Sequence, residues 1–292
     1  MCKKAVALGN FDGMHLGHTA VLDKALELSE NGLIPCALLF SEHSIKILTG
    51  NAPPMLMTES ERREFIKSCG LETEEIDFQT IRNLSPEEFV SNVLADKMNA
   101  GAVICGYNYR FGKNAAGDAE LLKKLCGEKN IVCCVIGEID CDGEAVSSTA
   151  IRTLIESGDI KKANRMLGRK FGFASPVIHG DERGRGWGFP TANQELPDGL
   201  VIPKFGVYAS DVTIDGRTYR GVTNIGIRPT VGTDKVLSET YIIDFNDNIY
   251  GRQTDIRLID FIRPEIKFGS FEKLAAQIKA DTEKVKGCET DV

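Results

Sequence analysis

The sequence predicts two domains of different fold class: an α/β domain with a parallel sheet, then a mainly-β domain with an antiparallel barrel and a C-terminal helix. In the first half, short apolar runs alternate with stretches of helical periodicity, which is typical of a parallel sheet covered on both faces. Beyond Gly168, strand-like runs follow one another and a single helical stretch, 270–285, closes the chain. Since 292 residues suffice for two domains, we expect them at 1–158 and 159–292.

The first-half strands are short apolar runs, and the helices between them carry apolar residues at helical spacing. We expect strands at 5–8, 35–40, 102–105 and 131–136, and helices at 18–30, 58–67, from 85 onward, at 118–125 and at 151–157. Thr58 and Glu61 form a capping-box pattern, and Pro86 suits the first turn of its helix. Ligands of such sheets bind beyond the carboxyl ends of the strands.

The second-half strands are expected at 207–214, 217–222, 237–245 and 255–261. Asp215-Gly216 is a hairpin turn signal between the first two of these strands. A short helix at 160–167 precedes the strands. This succession of strands predicts an antiparallel barrel.

Composition argues against several classes of partner. The net charge is −7, the isoelectric point is near 5.3, and no lysine/arginine run occurs, so we expect no nucleic-acid partner. No segment approaches the roughly 18 apolar residues of a membrane span, so we expect no membrane contact. The nine cysteines are odd in number and lack a CxxC pair. We therefore expect small buried thiols in a reducing compartment, which indicates a cytoplasmic protein.

The first chemical motif is GNFDGMHLGH, residues 9–18, at the junction of the first strand and the first helix. Its three glycines let the backbone approach a bulky anion, and the helix N-terminus offers unpaired N–H groups. His15 and His18 are three residues apart and face the same way on a helical turn. Two imidazoles there suit the charge that develops on an α-phosphate during nucleotidyl transfer. A glycine-rich turn with incidental histidines, or a zinc site, are the alternatives.

The same segment resembles the signature of the nucleotidyltransferase superfamily with HxGH motifs. More narrowly, it is similar to the N-terminal domain of bacterial bifunctional riboflavin kinase/FMN adenylyltransferases. Two further segments agree with that family in order: 106–112 followed by Gly117-Asp118, and 147–152, which reads SSTAIR. The resemblance implies a Rossmann-like domain that adenylylates FMN, with His15, His18 and Arg152 as catalytic residues. It implies that ATP or flavin is bound by Gly9, Phe11, Asp12, Gly13, Gly17, Asn108, Ser148 and Thr149.

The SSTAIR segment also has a reading from its residues. Ser-Ser-Thr is strong capping chemistry before a helix, and its hydroxyls and N–H groups can hold a β- or γ-phosphate. Arg152 can reach phosphate oxygens with its forked guanidinium. Two positions depart from the family. Ser44 follows His43 where the family usually has proline, and Ala150 stands where arginine is often found.

The second chemical motif is the glycine-rich stretch 180–193, which ends in GFPTAN. Glycines there allow backbone N–H groups to cradle phosphates. GFPTAN resembles the PTAN motif of flavokinases, and the segments 224–230, 239–241 and 250–251 agree with that family in order. The resemblance therefore implies a flavokinase barrel in the second half.

The flavokinase resemblance implies roles for individual residues. Thr191 would bind Mg²⁺ through its hydroxyl, Asn193 would complete the metal or phosphate shell, and Glu239 would be the base for the riboflavin 5′-hydroxyl. Further contacts to ATP or flavin would come from Gly184, Arg185, Gly188, Pro190 and Tyr250. By residue type alone, Thr191 would be an ordinary barrel threonine and Glu239 an exposed strand carboxylate. Trp187 and Gln194 depart from the usual pattern, in which aliphatic or apolar residues occupy these positions.

The two resemblances together cover about residues 5–285 and imply a bifunctional enzyme of flavin-cofactor synthesis. It would use ATP and Mg²⁺ to phosphorylate riboflavin to FMN, and a second ATP to adenylylate FMN to FAD. Two alternatives stay open: a riboflavin kinase with a weak or diverged adenylyltransferase domain, and a non-catalytic module that senses flavin or ATP. The sequence leaves the oligomeric state open between a monomer and a weak oligomer.

Overall fold

The computed structural model contains two compact units. It describes residues 2–40, 53–179, 190–230 and 233–289. The first unit comprises 1–55 and 59–148, and the second comprises 56–58 and 149–292. The domain division that we expect after residue 158 stays a prediction.

The first unit is built on a five-stranded sheet in which every strand is parallel to its neighbours. Its strands are β1 (Lys4–Leu8), β2 (Ile34–Phe40), β3 (Glu72–Ile76), β4 (Ala100–Gly106) and β5 (Val132–Ile136). The order is β3-β2-β1-β4-β5, so the direction of winding reverses between β1 and β4. The predicted α/β fold is confirmed. Ligands of such sheets bind at the reversal point, beyond the carboxyl ends of the strands, which here are the loops after β1 and β4.

Several helices of the first unit begin directly after a residue whose side chain caps the helix. They are α1 (Leu16–Glu27) with a 3₁₀ turn (Leu28–Asn31), α2 (Glu59–Ser68), α3 (Phe78–Ile81), α4 (Pro86–Glu88) with a π-helical continuation (Phe89–Lys97), a 3₁₀ turn (Lys113–Ala115) and α5 (Ala119–Glu128). A small hairpin, β6 (Asp140–Cys141) and β7 (Glu144–Ala145), follows the sheet. Ser85 and Glu88 form a complete capping box at the start of α4. Strand β3 was not predicted, because it is rich in glutamate and only Ile76 among its residues is buried.

The second unit is a six-stranded antiparallel sheet that nearly closes on itself. Its strands are β8 (Gly172–Pro176), β9 (Thr191–Glu195), β10 (Gly206–Ile214), β11 (Arg217–Thr230), β12 (Thr233–Ile242) and β13 (Gln253–Arg263). The order is β8-β13-β10-β11-β12-β9, and the two edges meet where the Ile178 N–H donates to the Asn193 carbonyl at 2.8 Å. The helices are α6 (Ser148–Ser157), whose first residue still belongs to the first unit, α7 (Ile160–Leu167) and the closing α8 (Phe271–Lys286). The predicted antiparallel barrel with a C-terminal helix is confirmed.

Several element boundaries differ from the prediction for physical reasons. Strand β12 ends at Ile242, so the predicted strand 237–245 is wrong in its last residues, where Asp244 adopts a left-handed φ of 58°. Helix α6 begins at Ser148 instead of residue 151, which puts the second serine of the SST run inside the first turn. Strands β8 and β9 were not predicted, since β9 reads TANQE and lacks apolar alternation.

The structure bears on two expectations from composition, that the cysteines are buried and that no segment spans a membrane, and the first is wrong for most of the cysteines. All nine cysteines are free thiols, but only Cys36, Cys105 and Cys126 are buried, while Cys2 is exposed. Within the described ranges, no helix combines the length and the apolar character that crossing a bilayer requires.

The inward face of the second sheet is unusually polar. Buried members are Ser175, Gln194, Ser210, Thr223, Ser238, Thr240 and Thr254. Gln194 is fully buried, and its Nε2 donates to the carbonyl oxygens of Ser175 at 2.6 Å and Thr254 at 3.0 Å. The glutamine that departs from the flavokinase pattern therefore joins β9 to β8 and β13, across the point where the sheet closes.

We expect Gln194→Met to lower the free energy of unfolding by about 1–3 kcal/mol, because two buried carbonyl oxygens lose their donor. Methionine has a similar volume, so a cavity would not explain the loss. Urea unfolding of the full chain measures this free energy. The signal is the fluorescence of the single tryptophan, Trp187, which lies in the second half of the sequence, as Gln194 does. The control is Glu195→Gln, which removes an exposed ion pair with Lys235 and should cost about 1 kcal/mol or less. Equal losses in both variants would contradict a stabilising role for the buried amide.

Candidate functional sites

The first candidate site is the loop between β1 and α1. Phe11, Gly13 and Met14 have positive φ angles of 52°, 86° and 42°. Such angles are uncommon for phenylalanine and methionine, but both side chains are fully buried, and that packing holds the backbone in place. At Gly9, a Cβ atom would meet the Phe11 ring at 3.1 Å. The motif therefore encodes a tightly bent, well-anchored loop at the carboxyl end of β1.

The two histidines of the motif lie in contact at the start of α1. His15 is the N-cap of this helix, and its Nδ1 accepts a hydrogen bond from the His18 backbone N–H at 3.3 Å. The rings stack with centroids 3.7 Å apart and planes at 17°. A Cβ atom at Gly17 would approach the His15 ring at 3.2 Å. The structure thus brings both imidazoles to a helix N-terminus, where the helix dipole also favours an anion.

A zinc site at these histidines gains no support from the described ranges. They contain no group of three or more histidine, cysteine, aspartate or glutamate side chains placed to hold a metal ion. Zinc in proteins is held by three or four such ligands. An anion-binding role suits the pair better.

Two other predicted residues reach the same edge of the sheet. Asn108 lies in the exposed turn after β4, the strand next to β1. The Ser148 hydroxyl donates to the Asp12 carbonyl at 2.9 Å, and the Asp12 side chain is buried. Ser148, the last residue of the first unit, is therefore tied directly to the loop between β1 and α1.

The remaining predicted residues of this site are not tested by the structure. Thr149 and Arg152 belong to the second unit, so their part in nucleotide binding stays a prediction. His43 and Ser44, where the sequence departs from the family, lie outside the described residues.

A buried arginine beside this loop was missed in the sequence. Arg62 on α2 is 9% exposed, and its Nη1 donates to the Asn10 carbonyl at 3.1 Å. Burial lowers the pKa of the guanidinium from its ordinary value, while the charges of Glu59 and Asp12 act to raise it. One signal was available, because Arg62 precedes Ile66 by four residues, and these two are the buried residues of α2.

The second candidate site is a row of polar side chains across three strands. In the register of β11, β12 and β9, Glu239 lies between Asn224 on one side and Asn193 on the other. Thr191 is two residues before Asn193 and shares its face of the sheet. Side chains directly opposed in antiparallel strands have Cβ atoms about 5 Å apart. Sheet pairing therefore brings together three predicted residues that are distant in the sequence.

Thr191 and Asn193 offer oxygen atoms of the kind that Mg²⁺ prefers. Asn193 is 5% exposed, and its amide nitrogen donates to the Thr191 carbonyl at 3.3 Å. This bond uses the nitrogen, so the amide oxygen is the atom that can bind a cation. The pair fits a Mg²⁺ ion that takes its other ligands from water and substrate phosphates.

A cavity of about 130 Å³ shares Thr191 with this row. Its walls include Pro190 and Tyr250, two residues that the resemblance implies in binding. His179 stacks on Tyr250 with centroids 4.0 Å apart. Sequence reasoning missed His179, whose signal is its position directly before the glycine-rich stretch. The residues Gly184, Arg185, Trp187 and Gly188 lie outside the described residues.

Comparisons with known proteins place both units in described families. The chain matches the FAD synthetase family model over residues 1–150 and the riboflavin kinase model over residues 167–288. Among curated relatives named bifunctional riboflavin kinase/FMN adenylyltransferase, the protein of Listeria monocytogenes is 35% identical, covering 95% of this chain and 90% of its own. The corresponding protein of Escherichia coli K12 is 33% identical, covering 94% and 90%. A solved structure described as a macrolide-efflux protein from Streptococcus pneumoniae is 31% identical, covers 99% of this chain and 95% of its own, and has a TM-score of 0.90.

Proposed function

The chain belongs to the family of bifunctional riboflavin kinase/FMN adenylyltransferases, and on that premise we propose which side chains carry each of its two reactions. The enzyme phosphorylates riboflavin to FMN with ATP, and it adenylylates FMN to FAD with release of pyrophosphate. The parallel sheet lies within the match to FAD synthetase, and the antiparallel sheet lies within the match to riboflavin kinase. Each reaction therefore has its own set of candidate residues.

FMN adenylylation is assigned to the loop after β1. An oxygen of the FMN phosphate attacks the α-phosphorus of ATP, and the bond from that phosphorus to the bridging oxygen breaks as pyrophosphate leaves. His15 and His18 donate hydrogen bonds to the α-phosphate oxygens, where negative charge develops. Backbone N–H groups of the loop and of the α1 N-terminus hold the other phosphates. Completing the site in this proposal are Gly9, Phe11, Asp12, Gly13, Gly17, Asn108, Ser148, Thr149 and Arg152.

Riboflavin phosphorylation is assigned to the polar row on β9 and β12. Glu239 accepts the proton of the riboflavin 5′-hydroxyl while that oxygen attacks the γ-phosphorus of ATP, and ADP leaves. Thr191 and Asn193 would hold Mg²⁺, which neutralises phosphate charge when it is bound. The cavity beside them would take part of a substrate, with Pro190 and Tyr250 in its wall. Gly184, Arg185 and Gly188 are proposed as further contacts.

The observation that supports this assignment best is the register of β9 and β12. It puts the candidate base, Glu239, directly opposite Asn193, a candidate metal ligand. Transfer of a phosphoryl group needs a residue that orients the attacking hydroxyl and a cation that neutralises phosphate charge, close to each other. Two residues from separate motifs meet this requirement only because the strands pair in this register.

Product analysis tests the proposed function. The protein is incubated with riboflavin, ATP and Mg²⁺, and the flavins are separated by chromatography. We expect FMN first and FAD later, and we expect a chelator of divalent cations to stop FMN formation. FMN without FAD would favour a kinase with a diverged adenylyltransferase domain, and flavin binding without either product would favour a sensing module. A cytoplasmic location and the absence of nucleic-acid partners stay predictions.

A further inference from the structure

Arg62 holds a positive charge against the loop that leads into α1. Its neighbour Arg63 is partly exposed and pairs with Glu59 and Glu75. Arg62 is 9% exposed instead, and among the described residues its guanidinium forms no ion pair and its buried Nε has no hydrogen-bond partner. Although Glu59 and Asp12 act on this charge, burying a charge that forms no ion pair is costly. Something other than the stability of α2 must therefore favour this arginine.

Arg62 contacts the loop between β1 and α1, to which we assign nucleotide binding. One nitrogen, Nη1, donates to the carbonyl of Asn10, a residue between the end of β1 and the N-cap His15. Asp12 is close enough to influence the charge but does not pair with it. Although burial lowers its pKa, an arginine keeps its proton at neutral pH. The guanidinium therefore adds a fixed cation to a loop that already presents a helix N-terminus.

The ligand that suits such a buried guanidinium is an anion. A guanidinium binds phosphate oxygens through charge-assisted hydrogen bonds, and a buried donor without a partner gains more from such a bond than an exposed one. A polyphosphate at this loop would also meet the N–H groups at the start of α1. The phosphates of ATP fit this combination, because they extend from the α-phosphate that the histidines contact in the proposed reaction.

We propose that Arg62 is a positioning residue of the adenylyltransferase site, which fixes the loop through the Asn10 carbonyl and attracts the phosphates of ATP with its charge. This inference rests on the assignment of FMN adenylylation to the loop after β1. The charge, and not only the hydrogen bond, is required for ATP binding. Arg62 contributes to the binding of ATP and not to the binding of FMN.

Steady-state kinetics of FAD formation from FMN and ATP test the proposal in the full-length protein. In Arg62→Gln, which keeps a donor but removes the charge, the KM for ATP should rise about 10- to 100-fold, the effect of one charge-assisted hydrogen bond. The KM for FMN should stay within about threefold. Arg62→Lys keeps the charge and should recover most of the ATP affinity. Arg63→Gln, the matched control on the same helix, should behave like the parent protein.

Four results would overturn the proposal. They are parental kinetics in Arg62→Gln, a KM increase confined to FMN, an unchanged KM with a lowered kcat, and an equal defect in Arg62→Lys and Arg62→Gln. Should Arg62→Gln fail to fold, seen as an early thermal transition with riboflavin kinase activity retained, Arg62→Lys decides alone. A KM for ATP within about fivefold of the parent then supports the proposal, and a larger increase overturns it. If the parent protein itself makes no FAD, the proposed function fails, and that outcome is distinct from all of these.

Discussion

Glu239→Gln is expected to stop FMN formation, while the same protein still converts supplied FMN to FAD. Glutamine preserves the size of the side chain and its place opposite Asn193, but it cannot accept the proton of the riboflavin 5′-hydroxyl. A positioned base contributes about 10²- to 10⁴-fold, so kcat for riboflavin phosphorylation should fall by that factor. FAD formation should continue because the two histidines that we assign to that reaction, His15 and His18, lie in the other compact unit.

The control for this prediction is Glu195→Gln. Glu195 is on the neighbouring strand β9 and pairs with Lys235 on the surface, so its loss should leave both activities unchanged. Chromatography of the flavins, started once from riboflavin and once from FMN, measures the two reactions separately. Glu239 would not be the base if Glu239→Gln kept more than a tenth of the parental kcat. Loss of both activities in a folded protein would refute the separation of the two sites.

The loop between β1 and α1 could be predicted from sequence because its geometry is local. His15 and His18 belong to one helical turn, so three residues of separation are enough to place both rings on one side. The glycines at positions 9 and 13 indicated where a bulky anion can approach the backbone, and the structure shows a sharp bend there. What the sequence did not show is how that bend is maintained. Phe11 and Met14 take left-handed angles and are buried beneath the loop, which depends on packing against the rest of the unit.

The kinase site depended on a resemblance because its geometry is not local. Glu239 and Thr191 have the properties of ordinary strand residues when each is considered within its own segment. Only the register of β9 against β12 brings them close to each other. Register follows from which faces of the strands are buried, and the inward face of β9 contains Gln194, a residue that hydrophobic patterns assign to the surface. The pattern therefore failed for this strand, and only the order of motifs identified the site.

Arg62 illustrates a second limit of sequence patterns. An arginine in a helix rich in glutamate and arginine is normally solvated, and its neighbour Arg63 is indeed partly exposed. The two differ in which side of α2 they occupy, and the small number of apolar residues in this helix gives a weak indication of that side. The buried charge was identifiable only once the structure showed α2 packed against the loop between β1 and α1.

His18→Ala is expected to have the opposite effect to the change at Glu239. FAD formation from FMN should fall by about 10²- to 10³-fold, the usual cost of removing one donor that stabilises developing charge. FMN formation from riboflavin should not change. This substitution separates chemistry from stability well, because the cap of α1 uses the backbone N–H of residue 18 and the Nδ1 atom of His15. Alanine keeps that backbone donor, so the helix should begin as before.

The histidine pair allows a further distinction. His15→Ala removes the capping acceptor as well as the imidazole, so it should lower FAD formation and also cost about 1 kcal/mol of stability. Lys24→Ala on the same helix, which removes an exposed pair with Glu27, should alter neither quantity by much. If both rings contact the same α-phosphate, the double variant should lose less activity than the product of the single losses. A His18→Ala protein with parental FAD synthesis would contradict a catalytic role for the His18 ring. That ring, which stacks on His15 with centroids 3.7 Å apart, would then contribute to packing alone.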